Sequence, residues 1–221
     1  MVDREPQREV HCVDAIGWMR ARGPIEGACA VTSLPDVSEV GLALPVWRAW
    51  FLEAVKLVVN SVSPDSGSLF FQSDIKRDGV WIDKGALVIR AAEDVGARVL
   101  FHKIICRRPP GMLTMGRPGY THLIAVSRAA RCPDVLSIPD VVVDPGRQAW
   151  VRAMGMRAAA HAVRFAHEHL GAKTIFDPFC GVGTVLAVAN ALGLDAIGLE
   201  KAKKRSEQSR ELKVMACELS T

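Results

Sequence analysis

The sequence lacks several features that would place it at once. No apolar run approaches the ~18 residues that a membrane-crossing helix needs, and the opening stretch Met1–Glu9 is charged, without a signal-peptide core. The six cysteines, at 12, 29, 106, 132, 180 and 217, include no Cys-x-x-Cys pair. A zinc ribbon or a disulfide frame is therefore not indicated, and reduced thiols in an intracellular, cytoplasmic protein are expected. There is no internal repeat, no low-complexity segment and no helix-turn-helix or zinc-finger pattern for reading duplex DNA.

What is present suffices for a packed fold. With 221 residues the chain can bury one sizeable core and is expected to form a single domain. Hydrophobic residues make up 49%, which excludes wholesale disorder. The net charge of +4 and pI near 8.8 tolerate a nucleic-acid partner without demanding one.

The most informative stretch is Asp177-Pro178-Phe179-Cys180-Gly181-Val182-Gly183-Thr184. Lys173–Phe176 reads as a short buried strand leading into it, and Thr184–Leu192 as an apolar helix ended by Gly193. A strand, a glycine-rich turn and a helix form the place where an open α/β sheet receives a ligand, at the carboxyl edge of its strands. Glycine allows the tight turn and the close approach of backbone to ligand. A second strand, Asp195–Leu199, ends on Glu200, nineteen positions beyond Gly181, where a carboxylate can take the ribose hydroxyls of an adenosyl group. A nicotinamide turn is disfavoured because Leu186 stands where the third glycine of Gly-x-Gly-x-x-Gly would fall.

The Asp177–Thr184 stretch resembles the first motif of S-adenosylmethionine-dependent methyltransferases acting on exocyclic amines of nucleic-acid bases (the N4-cytosine and N6-adenine type), and Ile197–Glu200 resembles their second motif. The resemblance implies a Rossmann-like, doubly wound α/β sheet of about seven strands, with S-adenosyl-L-methionine as cofactor. Asp177, Pro178, Phe179, Cys180, Gly181, Gly183, Thr184 and Glu200 would then form the cofactor site.

Taken in order, the sequence predicts strands at Val10–Asp14, Gly27–Thr32, Ser68–Ser73, Arg98–Ile105 and Tyr120–Val126, besides the two around the glycine turn. Helices are predicted at Ile16–Arg22, Pro45–Val59, after an Asp83 cap, over the long span Arg147–Leu170, and from Ala202 to Cys217. Residues 74–79 read as a charged turn and 128–147 as an irregular linker with Pro133, Pro139 and Pro145. In methyltransferases of the resembled class the cofactor-binding half normally precedes the catalytic half. Here the glycine turn comes late, and a strand of the right kind opens the chain. The expectation is a circularly permuted domain over 1–221, with a catalytic half at 1–127 and a cofactor-binding half at 148–221. Termini close together at the surface make such a cut tolerable.

Under that arrangement Ser33-Leu34-Pro35-Asp36 falls at the end of the strand beside the glycine-turn strand. It resembles the family's catalytic tetrapeptide, (Asp/Asn/Ser)-Pro-Pro-aromatic, with Ser33 and Pro35 matching. Leu34 replaces a proline and Asp36 replaces the aromatic that would stack on the target base; Trp18, Trp81 or Trp150 are candidates to supply a ring. An exocyclic amine is a poor nucleophile because its lone pair is delocalised. Acceptors aimed at its hydrogens, here Ser33 Oγ and the Leu34 carbonyl, would free that pair, and Asp36 could add a third acceptor or take the released proton. Read alone, the same four residues also make an ordinary turn. Asp14 could accept the adenine amino group or cap a helix, and both uses are compatible. Cys180 reads as packing rather than nucleophile, His102 and His122 as structural. The chemistry needs no metal and none is expected.

The short interval before the glycine motif leaves little protein for reading duplex sequence, so RNA is expected over DNA as substrate. Lys76, Arg77, Arg107, Arg108 and Arg117, with Arg128 and Arg131, are candidates for phosphate contact, although solvated surface charge explains each equally well. A DNA methyltransferase, or a non-catalytic cofactor-binding subunit of a larger assembly, remains open, as does a homodimer or other protein partner.

Overall fold

The computed structural model describes residues 4–132, 134, 138–150 and 153–219. The chain runs β1 (Arg8–His11), α1 (Ala15–Arg22), β2 (Ala28–Thr32), α2 (Val37–Val40), α3 (Leu44–Asn60), β3 (Ser68–Gln72), β4 (Ile75–Arg77), β5 (Val80–Ile82), α4 (Lys84–Glu93), β6 (Arg98–Cys106) and β7 (Tyr120–Ser127). It continues through β8 (Val141–Val142), α5 (Met156–Glu168), β9 (Thr174–Asp177), α6 (Thr184–Ala191), β10 (Asp195–Leu199) and α7 (Lys203–Glu211) to a short 3-10 turn, Ala216–Glu218.

Eight strands form one sheet in the order β1-β10-β9-β2-β3-β7-β6-β8, and β4 pairs with β5 in a separate hairpin. The run β1, β10, β9, β2, β3 is parallel throughout, and β7 enters antiparallel between β3 and β6. Along the central strands both faces are apolar. In β2, Cys29 and Val31 face one layer while Ala28 and Ala30 face the other; in β3, Leu69 and Phe71 oppose Phe70. That period of two, apolar on both sides, fits a parallel sheet covered on each face. One layer receives α5 and α6, and the other α1, α3 and α4. Helix α3 shows how a helix fits this role: Trp47, Phe51, Ala54, Val55 and Val58 recur at helical spacing, all are buried, and Pro45 sits in the first turn where its missing N–H costs nothing.

This is the Rossmann-like α/β sheet expected, and several boundaries differ from the sequence reading. Strand β1 ends at His11, before the predicted Asp14, which instead caps α1 through a 2.9 Å bond from Gly17 N. The expected turn at 74–79 is the start of the β4–β5 hairpin. The stretch 128–147 (positions 133 and 135–137 lie outside the described residues) contains β8, which adds to β6 in parallel.

The long predicted helix from Arg147 is confined to Met156–Glu168, with positions 151–152 outside the described residues. Its upstream part folds back: Met156 N donates to the Arg147 carbonyl at 3.0 Å and Ala158 N to the Pro145 carbonyl at 3.1 Å. Gly155 lies so close to Pro145 that a Cβ there would come within 2.0 Å of the carbonyl oxygen. At the other end α7 stops at Glu211, after which Val214 and Leu219 reach the core. The helix predicted to Cys217 is cut short where Leu212 leaves helical geometry, with ψ at 123°. Among the described residues no helix is long and apolar enough to cross a membrane.

Candidate functional site

The carboxyl ends of β1, β10, β9, β2 and β3 all meet the same cavity, of about 1070 Å³. Chain direction reverses there. From β9 the chain passes through α6 to β10 on one side, whereas from β2 it passes through α2 and α3 to β3 on the other. Such a switch point opens a crevice between neighbouring strand ends.

The glycine turn forms one wall. Asp177, at the end of β9, is buried, and its Oδ1 accepts from Thr32 Oγ1 at 2.6 Å and from Phe179 N at 3.1 Å. Burial raises its pKa to about 7 against these two hydrogen bonds, with the charge of Glu200 adding to the rise. Gly181 and Gly183 both adopt positive φ, 55° and 87°, but for different surroundings. A Cβ on Gly181 would meet nothing within 4 Å, whereas one on Gly183 would stand 2.8 Å from Ser209 Cα of α7. Gly183 is the one residue expected at the cofactor site that does not line the cavity; it lets α7 pack against the turn. Thr184 Oγ1 is buried with no hydrogen-bond partner. Cys180 is a buried thiol whose pKa is pushed upward by burial, and its sulfur would lie 2.9 Å from a Cβ on Gly198. Glu200 accepts from Ala202 N at 2.7 Å and lies 3.4 Å from Arg205. Glu200 and Asp14 both line the cavity, and Asp14 does so while capping α1.

Ser33, Leu34, Pro35 and Asp36 form the facing wall, immediately after β2. Helix α3 holds this loop from below, where Trp47 Nε1 donates to the Pro35 carbonyl at 3.3 Å. Asp36 stands at the N-cap of α2, its backbone N–H donating to Glu39 Oε2 at 2.8 Å, and its carboxylate is ion-paired with the buried Lys84 ammonium.

Sequence reasoning missed the acid that organises this side. Asp74, buried after β3, accepts from Lys84 N (2.9 Å), Trp81 Nε1 (3.1 Å), Tyr120 Oη (3.2 Å) and His122 Nε2 (3.0 Å). Burial alone would raise its pKa, but the bonds from His122, Lys84 N and Trp81 outweigh it and hold the carboxyl below its ordinary range. With Asp74 ionised, His122 Nε2 carries the proton it donates. His122 Nδ1 then meets His102 Nε2 at 2.8 Å, and burial together with His122 lowers the His102 pKa. Asp74, Asp83 and His122 bring ligand atoms within 4.8 Å of one another, but the donors already on Asp74 make this a hydrogen-bonded hub. The donors come from residues 81, 84, 120 and 122, so no local pattern marks it.

Trp50 was also missed. It lines the cavity edge-on to Phe179, with ring centroids 5.9 Å apart. Of the rings considered from the sequence, Trp150 lines the cavity, whereas Trp18 stacks on Phe176 and Trp81 is tied to Asp74. Lys76, Arg77, Arg107, Arg108 and Arg117 all lie on its rim. Arg128 and Arg131 do not; they donate to carbonyls of Val62 and Ala129.

The family model described as DNA methylase (N6_N4_Mtase) matches residues 166–211, from the end of α5 to the end of α7. No curated protein matches the chain by sequence. Similar solved structures include TTHA0409 of Thermus thermophilus, provisionally named a DNA modification methylase and complexed with S-adenosyl-L-methionine. It is 16% identical, with 92% of each chain covered and a TM-score of 0.71. The PvuII DNA methyltransferase (cytosine-N4-specific) is 15% identical over 93% of this chain and 86% of that one, with a TM-score of 0.70. The M1.HpyAVI–SAM complex is 11% identical over 93% and 98%, with a TM-score of 0.61. The fold is thus the Rossmann-like α/β fold of these methyltransferase structures, and residues 166–211 match the DNA methylase (N6_N4_Mtase) model.

Proposed function

We propose that this chain uses S-adenosyl-L-methionine to methylate an exocyclic amine of a base in DNA, within a single permuted methyltransferase domain. The observation that carries this reading is the joining of two walls: the Ser33–Asp36 loop and the Asp177–Thr184 turn face one cavity, linked by the Thr32–Asp177 hydrogen bond. The pairing of the first strand, β1, with the last, β10, supports the permutation. DNA replaces the RNA suggested by the short linker, because the similar structures named for a substrate are DNA methyltransferases. Such a substrate places the protein inside the cell.

The residues present fit the cofactor. Thr184 Oγ1 is a buried polar atom awaiting a partner, and the space beyond Gly181 would be filled by a Cβ. Glu200 is held by Ala202 N at the carboxyl end of β10, in reach of ribose hydroxyls. Asp177 would face positive charge, which favours its ionised form. The bound cofactor supplies an electrophilic methyl group. The chain's own part is to hold the target amine in line at close range, which is where most of the rate of such a transfer arises. Ser33 Oγ and the Leu34 carbonyl accept the amine hydrogens, and Pro35 contributes no N–H to compete. Asp36, tied to Lys84 and to the α2 cap, holds the loop's shape. Trp50 and Phe179 offer the aromatic wall that position 36 lacks.

The test is label transfer from methyl-labelled S-adenosylmethionine into DNA and RNA from cells without this protein, followed by nucleoside mass spectrometry. One N-methylated deoxynucleoside that disappears with Ser33→Ala and with Asp177→Ala is expected. Label confined to RNA would overturn the DNA assignment. A second reading, a cofactor-binding subunit without transfer, draws on the ion pair that engages Asp36 where the aromatic is expected. It requires cofactor binding with no label in either polymer.

A further inference from the structure

The loop between β6 and β7 belongs to neither wall. Its neck is narrow, because Arg107 N and Arg108 N both donate to the Gly119 carbonyl, at 2.7 and 3.1 Å. Three prolines, at 109, 110 and 118, stiffen its shoulders. Gly111 and Gly116, at φ 83° and 72°, turn the chain on either side of a four-residue tip, Met112-Leu113-Thr114-Met115. This tip stands in solvent: Leu113 is 97% exposed and Met115 98%, with Met112 at 59%. Single exposed apolar residues are common and need no explanation. Three within four residues, framed by left-handed glycines on the rim of a ligand-sized cavity, form a directed apolar point.

The charge carried by the loop itself is of one sign. Arg107, Arg108 and Arg117 share the rim with the tip. Burial lowers the Arg107 pKa, and the neighbouring Arg117 and Arg108 lower it further, with only the smaller pull of Asp36 opposing them. Guanidinium groups that repel one another in this way are relieved by a phosphate between them. Arg107 Nη1 also donates to Ser73 Oγ at 3.3 Å, which ties the neck to the end of β3. An amine inside a duplex cannot reach a closed pocket until its base leaves the stack, and proteins open base steps with apolar side chains set among basic ones. The cluster of arginines selects a polyanion over an apolar protein surface.

We propose that the 107–119 loop opens duplex DNA beside the cavity, with Leu113 and Met115 inserted into the base stack while Arg108 and Arg117 hold the flanking phosphates. This rests on the methyltransferase reading for what happens next, but the opening itself is measurable without methyl transfer. The tip side chains touch no core, so Leu113→Ser with Met115→Ser leaves the fold intact. Sheared genomic DNA, native and heat-denatured, is offered with methyl-labelled cofactor to the wild type and this double variant. The expected result is a loss of about ten-fold or more on native DNA and less than about two-fold on the same DNA denatured. Arg108→Gln with Arg117→Gln is expected to weaken both and to flatten the salt dependence of binding.

In parallel, duplex oligonucleotides carrying 2-aminopurine at several positions report unstacking by a rise in fluorescence. The wild type is expected to raise it and the tip variant not to. Equal losses on native and denatured DNA would overturn the proposal. So would a wild type that leaves 2-aminopurine stacked, whether or not it transfers methyl groups. A tip variant that methylates native DNA normally but changes its oligomeric mass would make the tip a protein contact and overturn it as well. Fluorescence that rises with no label in any polymer would sustain the opening role and sink the methyltransferase reading alone.

Discussion

Thr32 Oγ1 donates a 2.6 Å hydrogen bond to Asp177 Oδ1, and both residues are buried. The bond joins the strand that ends in the Ser33–Asp36 loop to the strand that ends in the glycine turn, and so extends the parallel β2–β9 pairing by a side-chain link at the lip of the cavity. Thr32→Val keeps the shape and removes the donor. Asp177 then loses a bond that restrains its pKa, and the carboxyl becomes harder to ionise. A lost hydrogen bond to a buried charged group is worth about 1.5–3 kcal/mol. Affinity for S-adenosylmethionine, measured by calorimetry, is therefore expected to fall about ten-fold or more, whereas Thr32→Ser should retain most of it.

The raised pKa of Asp177 makes a separate prediction about pH. Its folded value, about 7, exceeds the ordinary 3.8 of the unfolded chain. Between these values the unfolded chain has released the proton and the folded one keeps it, so stability falls as pH rises from about 4 to about 7 and levels off above. The full effect is on the order of 4 kcal/mol for this buried group. Asp177→Asn cannot ionise, and its melting temperature relative to the wild type should rise between pH 5 and pH 8. A constant difference across that range would show that Asp177 ionises in the folded protein as easily as in the unfolded one.

How far the sequence reached depended on how local each feature is. The glycine turn, the spacing to Glu200 and the cap at Asp14 are short-range patterns, and the structure places all three at the cavity. Asp74 could not be found the same way, because its four donors come from a hairpin, a helix and a strand that only folding brings together. Trp50 was hidden for another reason. Helix α3 turns Trp47 and Phe51 into the core, and the same periodicity would be served whether or not the flank between them faced a cavity. The over-long α5 reflects an alanine-rich segment with good helix propensity, which the packing of Gly155 on Pro145 overrides.

Asp36 and Lys84 give an asymmetric pair of variants. The Lys84 side chain is 4% exposed and that of Asp36 32%. Asp36→Ala strands a buried ammonium, the situation that costs about 3–5 kcal/mol, whereas Lys84→Met leaves a carboxylate that water can reach. Urea unfolding is expected to show Asp36→Ala as the more destabilised of the two. Equal losses would mean that Lys84 is solvated in a way its burial does not suggest.

Trp50 should act on substrate rather than cofactor. A ring stacked on a base contributes about 1–3 kcal/mol. Trp50→Leu is accordingly expected to lower kcat/KM for nucleic acid about five- to one-hundred-fold with cofactor affinity unchanged, and Trp50→Phe to recover most of it. Loss of cofactor affinity in both variants would move the role of Trp50 to supporting Phe179 in the glycine turn.

The two glycines of the turn are expected to fail differently when given a side chain. Alanine at either pays for positive φ, a strain of about 1 kcal/mol or more. At Gly183 the added Cβ also meets Ser209 Cα at 2.8 Å, a backbone atom that can move only with α7. At Gly181 it meets nothing of the protein and projects into open space. Gly183→Ala should therefore lower the melting temperature more than Gly181→Ala. Gly181→Ala should lose only what its positive φ costs in stability and lose cofactor affinity out of proportion to it. Melting curves and calorimetric titration of both variants separate the two effects. A Gly181→Ala protein that binds S-adenosylmethionine normally would place the cofactor elsewhere in the cavity, away from the turn.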